Sequence, residues 1–217
     1  MKIFTIIPAS GLGQRFGSSV PKQLLHIDNE LILEKTHRIF DIEVIHKIFI
    51  AVNRVVLDLL LPLKKNFCPK SEFILCGGDN RSDTVKNALK MIANEVGEED
   101  WVIVHDAVRP YLTSSQLSNY IDQTLKTDHG SIMAVPCVDT VKEVNGSMQI
   151  TSTIDRNKIW LAHTPQMFPY NILLKALENF PGNPTDESQA LEYAGFKPVV
   201  IKGPADNKKI TFPEDLA

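Results

Sequence analysis

Two glycines and two basic residues follow the first apolar run of the chain and together form a candidate phosphate-binding loop. Gly11 and Gly13 come directly after this run, and Arg15 and Lys22 lie further on. Glycine allows the backbone to approach a phosphate closely and to direct its N–H groups at it, while the cations add positive charge. Phe16 stands where a dinucleotide fingerprint needs a third glycine, so that motif is excluded. The alternative interpretation is an ordinary strand-to-helix turn with a solvated arginine.

A second glycine pair, Gly77 and Gly78, occurs where another predicted strand ends and a helix begins. The two glycines allow backbone conformations that other residues disfavour, and the positive end of the helix dipole favours an anion there. The alternative is a plain start of a helix, in which Asp79 or Ser82 caps the helix and Arg81 points into water. On local evidence alone, the plain helix start is the better fit.

A carboxylate and a guanidinium lie three residues apart at the end of a further predicted strand, at Asp106 and Arg109. A strand-end aspartate beside phosphates suits Mg²⁺, which takes one or two carboxylates together with phosphate oxygens. The arginine could hold a substrate phosphate through two hydrogen bonds. The alternative is a surface ion pair in a loop. His105, which follows three apolar residues, is predicted to be a packed, hydrogen-bonded side chain and not a base.

Two basic residues late in the chain, Arg156 and Lys209, would individually pass as solvated surface charges. They become candidates because three predicted strands end in glycines or in paired charges. Ligands of an open parallel sheet bind outside the carboxyl ends of its strands, so these ends are expected to face one crevice. The set as a whole therefore indicates a site for phosphorylated substrates more strongly than any single member does.

The composition is that of an ordinary globular protein. With 43% hydrophobic residues, 23% charged residues and a net charge of −3, the chain has no overall attraction for nucleic acid or an anionic membrane. Its three cysteines form no Cys-x-x-Cys pair, so neither a disulfide framework nor a zinc site is indicated. The N-terminal apolar run is too short for a signal peptide or a membrane helix. We expect a cytoplasmic protein with no nucleic-acid or membrane partner.

The hydrophobic pattern predicts alternating strands and helices. Short, mostly apolar runs typical of strands buried on both faces lie at residues 3–7, 47–52, 72–76, 101–105, 131–135 and 198–202. Helical spacing of apolar residues occurs at 81–96, 114–126, 170–180 and 186–193. This alternation predicts a single α/β domain over residues 1–217, with a Rossmann-like, open, mostly parallel twisted sheet and helices on both faces.

A protruding hairpin is predicted to interrupt this pattern within an inserted β-arm at residues 137–158. Runs at 140–144 and 149–153 flank Asn145 and Gly146, a dipeptide typical of hairpin turns. Because an isolated two-stranded ribbon is marginally stable in water, the arm is expected to pack on a second subunit. The sequence therefore predicts that the arm serves dimerisation.

Seven ordered motifs are similar to those of a known enzyme family. They are Pro8-Ala9-Ser10-Gly11-x-Gly13-x-Arg15 with Pro21-Lys22-Gln23, Gly77-Gly78-Asp79-x-Arg81, His105-Asp106-Ala107-x-Arg109-Pro110, Asp139-Thr140-Val141-Lys142, Asp155-Arg156-x-x-x-Trp160-x-x-x-Thr164-Pro165-Gln166, Thr185-Asp186-Glu187, and Asn207-x-Lys209-Ile210-Thr211-x-Pro213-Glu214-Asp215-Leu216. Over nearly all of its 217 residues the chain resembles the 2-C-methyl-D-erythritol 4-phosphate cytidylyltransferases of the non-mevalonate isoprenoid pathway.

Enzymes of that family are nucleotidyltransferases that join CTP to a sugar-alcohol phosphate, giving 4-diphosphocytidyl-2-C-methyl-D-erythritol and pyrophosphate. By this resemblance, the nucleotide-binding residues would be Ala9, Ser10, Gly11, Leu12, Gly13, Arg15, Lys22, Gly78, Asp79, Arg81 and Thr84. The residues that bind the phospho-alcohol would be Asp106, Arg109, Thr140, Arg156, Thr164 and Lys209, and Asp106 would also bind Mg²⁺. Arg156 would reach from the arm into the neighbouring subunit's site, which implies a homodimer with exchanged arms.

The implied reaction requires positioning of the substrates and no general base. The attacking group is a phosphate monoester whose second pKa is about 6, so it is largely ionised at neutral pH. Two polyanions must be held in line while negative charge builds around the α-phosphorus. Arg15, Lys22, Arg156 and Lys209 are the residues predicted to be catalytic in this sense, together with Mg²⁺.

Two alternative functions stay open at this point. Val108 stands where the family commonly has alanine, and the related ribitol 5-phosphate cytidylyltransferases resemble the chain here, whereas residues 153–160 look more like the methylerythritol enzymes. The second alternative is a non-catalytic nucleotide-binding module on the same fold. Such a module could lack Lys22, Asp106 or Lys209, and the presence of all three favours an enzyme.

Overall fold

The computed structural model describes residues 1–11 and 20–216, the last of them by its backbone alone. Its strands are β1 (Ile3–Pro8), β2 (His26–Ile27), β3 (Glu30–Leu31), β4 (Ile45–Val52), β5 (Ser71–Leu75), β6 (Trp101–Val104), β7 (Ser131–Pro136), β8 (Val141–Val144), β9 (Ile150–Ile154), β10 (Trp160–Pro169) and β11 (Val199–Lys202). Its α-helices are α1 (Ile32–Arg38), α2 (Arg54–Leu60), α3 (Arg81–Met91), α4 (Ser114–Thr124), α5 (Tyr170–Asn179) and α6 (Glu187–Tyr193). Short 3-10 helices lie at Lys22–Leu24, Leu61–Asn66, Arg156–Lys158 and Pro213–Leu216. Among the described residues, no helix combines the length and the apolar character needed to cross a membrane.

Seven strands form one sheet in the order β5-β4-β1-β6-β10-β7-β11. The neighbouring pairs β5–β4, β4–β1, β1–β6 and β7–β11 are parallel, whereas β10 is antiparallel to both β6 and β7. The six strands predicted from the sequence all lie in this sheet. The mostly parallel α/β architecture is therefore confirmed, with β10 as an additional strand that the sequence pattern does not predict.

Both faces of the sheet are buried under helices. Successive residues of a strand point to opposite faces, so each strand contributes side chains to both of the resulting cores. In β1, Ile3 and Ile7 pack on the face covered by α1, α2 and α4, whereas Phe4 and Ile6 pack on the face covered by α3, α5 and α6. All four side chains are almost fully buried. The predicted coverage of both faces by helices is therefore confirmed.

Helix α3 is shorter than its predicted range and has a cap that differs from both predicted ones. Asn80 precedes the helix, and its Oδ1 accepts a hydrogen bond of 2.9 Å from the backbone N–H three residues on. The predictions of Asp79 or Ser82 as the cap are therefore wrong. Ile92 and Val96 stay buried beyond the end of the helix, which explains why the apolar spacing extends past it.

Strand β10 contains a β-bulge next to the cleft, and part of its backbone there is not paired with β7. Ala162 pairs with Ala134 and Gln166 pairs with Ile132, so three residues of β10 stand opposite one residue of β7. Such bulges occur frequently beside active sites, where they redirect a side chain. Here Thr164 lies within the bulge and points toward the loop that follows β6, to which it is hydrogen-bonded.

The predicted hairpin is present as a separate two-stranded sheet of β8 and β9. All residues from 142 to 158 are exposed. In the turn, Asn145 Oδ1 accepts hydrogen bonds of 3.0 Å from the N–H groups of Ser147 and Gln149, and Met148 has a positive φ of 61°. The hairpin prediction is therefore confirmed, and the arm lies outside the core of this chain.

Candidate active site

The carboxyl ends of β1, β4, β5 and β6 open into one cleft of about 570 Å³. Parallel strands end at the same edge of a sheet, which is the expected ligand site of an open α/β fold. The residues lining the cleft are Pro8, Ala9, Ser10, Gly11, Lys22, Gln23, Asn53, Gly78, Asp79, Asn80, Arg81, Asp106, Ala107, Val108 and Lys209. The three strand ends singled out in the sequence therefore meet in one crevice, together with Lys22 and Lys209.

The first loop, residues 8–11, is held by side-chain amides that bind its carbonyl oxygens. Gln23 Nε2 donates hydrogen bonds to the oxygens of Ala9 at 2.7 Å and Gly11 at 2.9 Å. Asn53 Nδ2 donates a hydrogen bond of 2.6 Å to the Ser10 oxygen. Because carbonyl oxygens repel phosphate, their engagement by these amides makes the loop better suited to an anion. Neither Gln23 nor Asn53 has a role predicted from the sequence, although Gln23 lies in the first motif.

The hydroxyl of Thr84 joins the first loop to the second loop, residues 77–81. It donates to the Asn80 carbonyl oxygen at 2.9 Å and accepts from the Gly78 N–H at 3.0 Å. Because its proton is used on Asn80, the Ser10 hydroxyl is the donor in the remaining contact of 2.7 Å. Thr84 is fully buried. Its hydroxyl therefore holds the two loops together beneath the cleft and is not part of the cleft surface.

The buried carboxylate of Asp106 lies among three cations. Its Oδ1 is 2.6 Å from Arg81 Nε, and its Oδ2 is 2.9 Å from Lys209 Nζ and 3.5 Å from Arg109 Nε. Burial by itself raises the pKa of this carboxyl, but the three positive charges outweigh burial and hold the pKa well below its usual range. Asp106 is therefore ionised at physiological pH.

Arg81 also contacts a second buried carboxylate, that of Glu187 at the start of α6. The two terminal nitrogens of Arg81 donate to the two Glu187 oxygens at 2.7 and 3.1 Å, which makes the pair bidentate. Arg81 thus bridges Glu187 and Asp106, and the alternative that it points into water is wrong. No role is predicted for Glu187 from the sequence, where its one signal is membership of the sixth motif.

A buried chain of hydrogen bonds holds the third loop, residues 105–110, against β10. The Asp106 N–H donates to Thr164 Oγ1 at 3.0 Å, and Thr164 Oγ1 lies 3.2 Å from His105 Nδ1. His105 Nε2 is 3.0 Å from the Arg109 carbonyl oxygen, which can only accept, so Nε2 carries the proton and Nδ1 accepts from Thr164. Burial lowers the pKa of His105 to about 4, so the ring is neutral. His105 is a packed, hydrogen-bonded side chain, as predicted.

The C-terminal segment, residues 203–212, completes the cleft. The Ile210 N–H donates to the Val108 oxygen at 2.9 Å and so attaches the segment to the third loop. The Ile210 carbonyl oxygen accepts a hydrogen bond of 3.2 Å from Lys22 Nζ, and the adjacent Lys209 lines the cleft. The segment therefore brings together two lysines that are far apart in the sequence.

Arg109 and Thr164 are buried beneath the residues that line the cleft. Arg109 is almost completely buried, and its Nη1 donates to the Asn207 carbonyl oxygen at 2.7 Å. Asn207 Nδ2 in turn donates to the Thr164 carbonyl oxygen at 2.8 Å. The polar groups of Arg109 and Thr164 thus connect the third loop, β10 and the C-terminal segment, and they fix the position of Asp106 within the cleft.

Residues 3–217 match the family model of 2-C-methyl-D-erythritol 4-phosphate cytidylyltransferase. The chain belongs to this family. It is 42% identical over 223 residues to the protein of that name from Actinobacillus pleuropneumoniae serotype 7 (strain AP76), a comparison that covers 100% of this chain and 93% of that protein. Its fold is similar to a crystal structure of 4-diphosphocytidyl-2C-methyl-D-erythritol synthase, with 33% identity and a TM-score of 0.83 over 99% of this chain and 94% of that one. The Francisella tularensis 2-C-methyl-D-erythritol 4-phosphate cytidylyltransferase gives 33% identity and a TM-score of 0.81 over 100% of this chain and 97% of that one.

The resemblance to the methylerythritol cytidylyltransferases is therefore confirmed, but the cleft does not bring together every residue carried over from it. Thr140 and Arg156 lie on the arm and are exposed, and Arg156 Nη1 donates to the Val138 oxygen at 2.6 Å. Asp79 is exposed and lines the cleft. Three further residues carried over from the family fall outside the described part of the chain: Leu12, Gly13 and Arg15.

The predicted magnesium site of this cytidylyltransferase would depend on its substrates. Within residues 1–11 and 20–216, no group of three or more His, Cys, Asp or Glu side chains could hold a metal ion on its own. Mg²⁺ commonly binds one or two carboxylates and completes its coordination with phosphate oxygens and water. Asp106 fits this donor set because it is ionised and lies in the cleft, with one oxygen shared with the partly exposed Lys209.

Proposed function

We propose that this chain transfers CMP from CTP to 2-C-methyl-D-erythritol 4-phosphate, giving 4-diphosphocytidyl-2-C-methyl-D-erythritol and pyrophosphate. The observation that carries the proposal is the meeting of Lys22, Lys209 and the ionised Asp106 in one cleft beside the first glycine loop. This cleft belongs to a chain that matches the cytidylyltransferase family over residues 3–217. Its volume of about 570 Å³ lies within the usual range for small-molecule sites.

In the proposed reaction, CTP binds to the first and second loops. The amide hydrogen bonds of Gln23 and Asn53 to the carbonyl oxygens of the first loop support a phosphate position there. Lys22 adds a positive charge beside this loop. The cytidine is proposed to lie against Gly78 and Asp79 of the second loop, and family resemblance adds Arg15 to the triphosphate contacts.

The acceptor phosphate is proposed to bind at the Lys209 side of the cleft. Among the described side chains, three cations and two carboxylates form the charged cluster there, which leaves one excess positive charge to attract a phosphate. The phosphate monoester of the acceptor is largely ionised near neutral pH, so its oxygen can attack the α-phosphorus of CTP without a base. Lys22 and Lys209 would stabilise the negative charge that develops as the pyrophosphate leaves.

Magnesium is the proposed cofactor, held by Asp106 and by phosphate oxygens of CTP. When bound, it would neutralise part of the charge on the reacting phosphates. The ionised state of Asp106 supports this proposal, because a protonated carboxyl would be a poor ligand for a divalent cation. Asp106 is also rigidly placed, since its N–H is hydrogen-bonded to Thr164 and its side chain to Arg81.

The active form is proposed to be a homodimer in which the arms are exchanged. Arg156 and Thr140 would then reach the acceptor site of the partner subunit. Support comes from the exposed apolar side chains of the arm, among them Met148 and Ile150 with exposed fractions of 78% and 64%. A two-stranded ribbon with exposed apolar groups is stabilised when it packs against another surface.

Both alternative functions have less support. The family match and the relative that is 42% identical carry the methylerythritol name, which favours that acceptor over ribitol 5-phosphate. A non-catalytic module would have no need of Lys22, Asp106 and Lys209 in one cleft. The reaction is proposed to take place in the cytoplasm, a reducing compartment that suits the three free cysteines of the chain.

The proposal is tested by measuring pyrophosphate release with CTP and Mg²⁺, with the two candidate acceptors offered in parallel. Release is expected with 2-C-methyl-D-erythritol 4-phosphate and only weakly with ribitol 5-phosphate. A clear preference for ribitol 5-phosphate would replace the proposed acceptor. An absence of release with both acceptors would overturn the transferase function.

A further inference from the structure

We infer that Glu187 is a positioning residue for the transfer reaction, which acts by keeping the guanidinium of Arg81 on Asp106 when CTP binds. The inference rests on the proposed function and adds to it a residue that neither the motifs nor the family match assigns a role. It also changes the role of Arg81, which the resemblance places among the nucleotide-binding residues and the geometry places beside Asp106.

The direction of the Arg81 guanidinium is fixed from both sides. Its two terminal nitrogens bind the two oxygens of Glu187 at 2.7 and 3.1 Å, and its Nε donates to Asp106 Oδ1 at 2.6 Å. A guanidinium is planar, so the bidentate contact with Glu187 sets the plane in which the Nε–H must point. Glu187 therefore determines where Arg81 holds the Asp106 carboxylate.

Glu187 itself has a fixed position. Its side chain is fully buried at the first residue of α6. The start of this helix is attached to β10, because Gln166 donates to Asp186 Oδ2 at 2.9 Å and accepts from the Ser188 N–H at 3.1 Å. The same strand supplies Thr164, which accepts from the Asp106 N–H. Strand β10 thus fixes the position of Asp106 in two ways. Thr164 binds the backbone N–H of Asp106, and the start of α6, which is attached to β10, holds the Asp106 side chain through Glu187 and Arg81.

A second carboxylate is needed because the cleft is proposed to receive a polyanion. With Asp106 as its only anionic partner, Arg81 would be attracted by the phosphates of CTP, and the carboxylate would lose its closest hydrogen bond. Glu187 removes this competition, since a buried bidentate contact holds the guanidinium in place. Loss of the Glu187 charge should therefore favour contacts between Arg81 and CTP and disfavour the correct placement of Asp106.

The test compares Glu187→Gln with Glu192→Gln, an exposed residue of the same helix. Pyrophosphate release with saturating CTP, Mg²⁺ and 2-C-methyl-D-erythritol 4-phosphate gives kcat, and calorimetry with CTP in the absence of divalent ions gives Kd. For Glu187→Gln we expect kcat to fall by about tenfold or more while the Kd of CTP stays within about twofold of the wild-type value or decreases. The Glu192→Gln enzyme should match the wild type in both quantities.

A second variant, Arg81→Lys, covers the case in which Glu187→Gln does not fold, which thermal melting would reveal. Lysine keeps the charge but lacks the planar set of donors with which the guanidinium binds both Glu187 oxygens and also directs an N–H at Asp106, so this variant should lose kcat to a similar extent. Wild-type kcat in Glu187→Gln, or in Arg81→Lys where Glu187→Gln is unfolded, would overturn the inference. So would a loss of kcat accompanied by an equally large weakening of CTP binding. If the wild-type enzyme releases no pyrophosphate, the proposed function fails first and the inference fails with it.

Discussion

The Nζ atom of Lys209 lies 2.9 Å from Oδ2 of Asp106, and the two side chains differ sharply in exposure, at 41% for the lysine and 8% for the aspartate. Asp106 is fixed by buried hydrogen bonds and ion pairs, whereas Lys209 is attached to a partly solvated edge of the cleft. When a second anion enters the cleft, Lys209 is therefore the partner that can move. This relationship makes Lys209 suited to contact an incoming phosphate while Asp106 keeps its position.

Replacement of Lys209 with alanine is expected to lower kcat by about a hundredfold, because a cation that stabilises developing negative charge is lost. The adjacent Lys208 is also exposed and supplies the matched control, Lys208→Ala. The rate of pyrophosphate release with saturating substrates gives kcat for both variants. A Lys209→Ala enzyme that turns over as fast as its Lys208→Ala control would exclude Lys209 from the reaction.

Lys22→Ala is expected to lose far more turnover than CTP affinity. The loops that hold the nucleotide stay in place through Gln23 and Asn53, so CTP still binds, but the charge beside the first loop is absent in the transition state. We expect about a hundredfold loss of kcat and less than about a tenfold rise in the Kd of CTP. Lys65→Ala, at an exposed position, is the control, and an unchanged kcat in Lys22→Ala would remove Lys22 from the mechanism.

Exchange of arms between subunits can be tested by complementation. An Arg156→Ala subunit keeps Lys22, and a Lys22→Ala subunit keeps Arg156, so a heterodimer with exchanged arms contains one intact site. Heterodimers isolated with two different affinity tags should show about half of the wild-type activity, although both variant homodimers have low activity. Heterodimers as inactive as the two homodimers would show that each site uses the arm of its own chain.

A buried histidine that does not line the cleft is expected to make the protein less stable in mild acid. His37 Nδ1 lies 2.8 Å from the Glu34 carbonyl oxygen and Nε2 accepts a hydrogen bond from the Cys68 N–H, so the ring must be neutral. Burial lowers the pKa of His37 below its usual value of 6.5. The unfolded chain therefore binds the proton more readily than the folded chain, and stability that is fully present above pH 6.5 is lost as the pH falls below that value.

Urea unfolding between pH 8 and pH 5 measures this effect. The His37→Gln variant should show a shallower loss of unfolding free energy with falling pH than the wild type, by no more than about 1.4 kcal/mol per pH unit for one proton. His26→Gln, at an exposed position, is the control and should follow the wild-type curve. Equal slopes for His37→Gln and the wild type would contradict the neutral buried state of His37.

The parts of the fold that local patterns determine were accessible from the sequence. Apolar runs such as Ile3 to Ile7 predict buried parallel strands because both of their faces must be covered. The strand-end rule then places Gly11, Gly78 and Asp106 at one edge of the sheet without any knowledge of their side-chain contacts. That edge is where the cleft lies.

Contacts between distant segments were not accessible in this way. Strand β10 contains Thr164, Pro165 and Gln166, so its local pattern is too polar to indicate a central strand. Glu187 is 106 residues from Arg81 in the sequence, and nothing near either residue indicates that they form a pair. The buried contacts of Thr84 with Ser10 and of Arg109 with Asn207 were inaccessible for the same reason, and the substrate contacts predicted for both residues stay predictions.

The central claim is that an oxygen of the acceptor phosphate attacks the α-phosphorus of CTP in this cleft. The most direct test uses 2-C-methyl-D-erythritol 4-phosphate whose phosphate oxygens carry ¹⁸O, with CTP, Mg²⁺ and the wild-type enzyme, followed by phosphorus NMR and mass spectrometry of the products. The label is predicted to appear in the diphosphate of the CDP-alcohol, including its bridging oxygen, and the pyrophosphate is predicted to be unlabelled. Label in the pyrophosphate, or no CDP-alcohol at all, would contradict the claim.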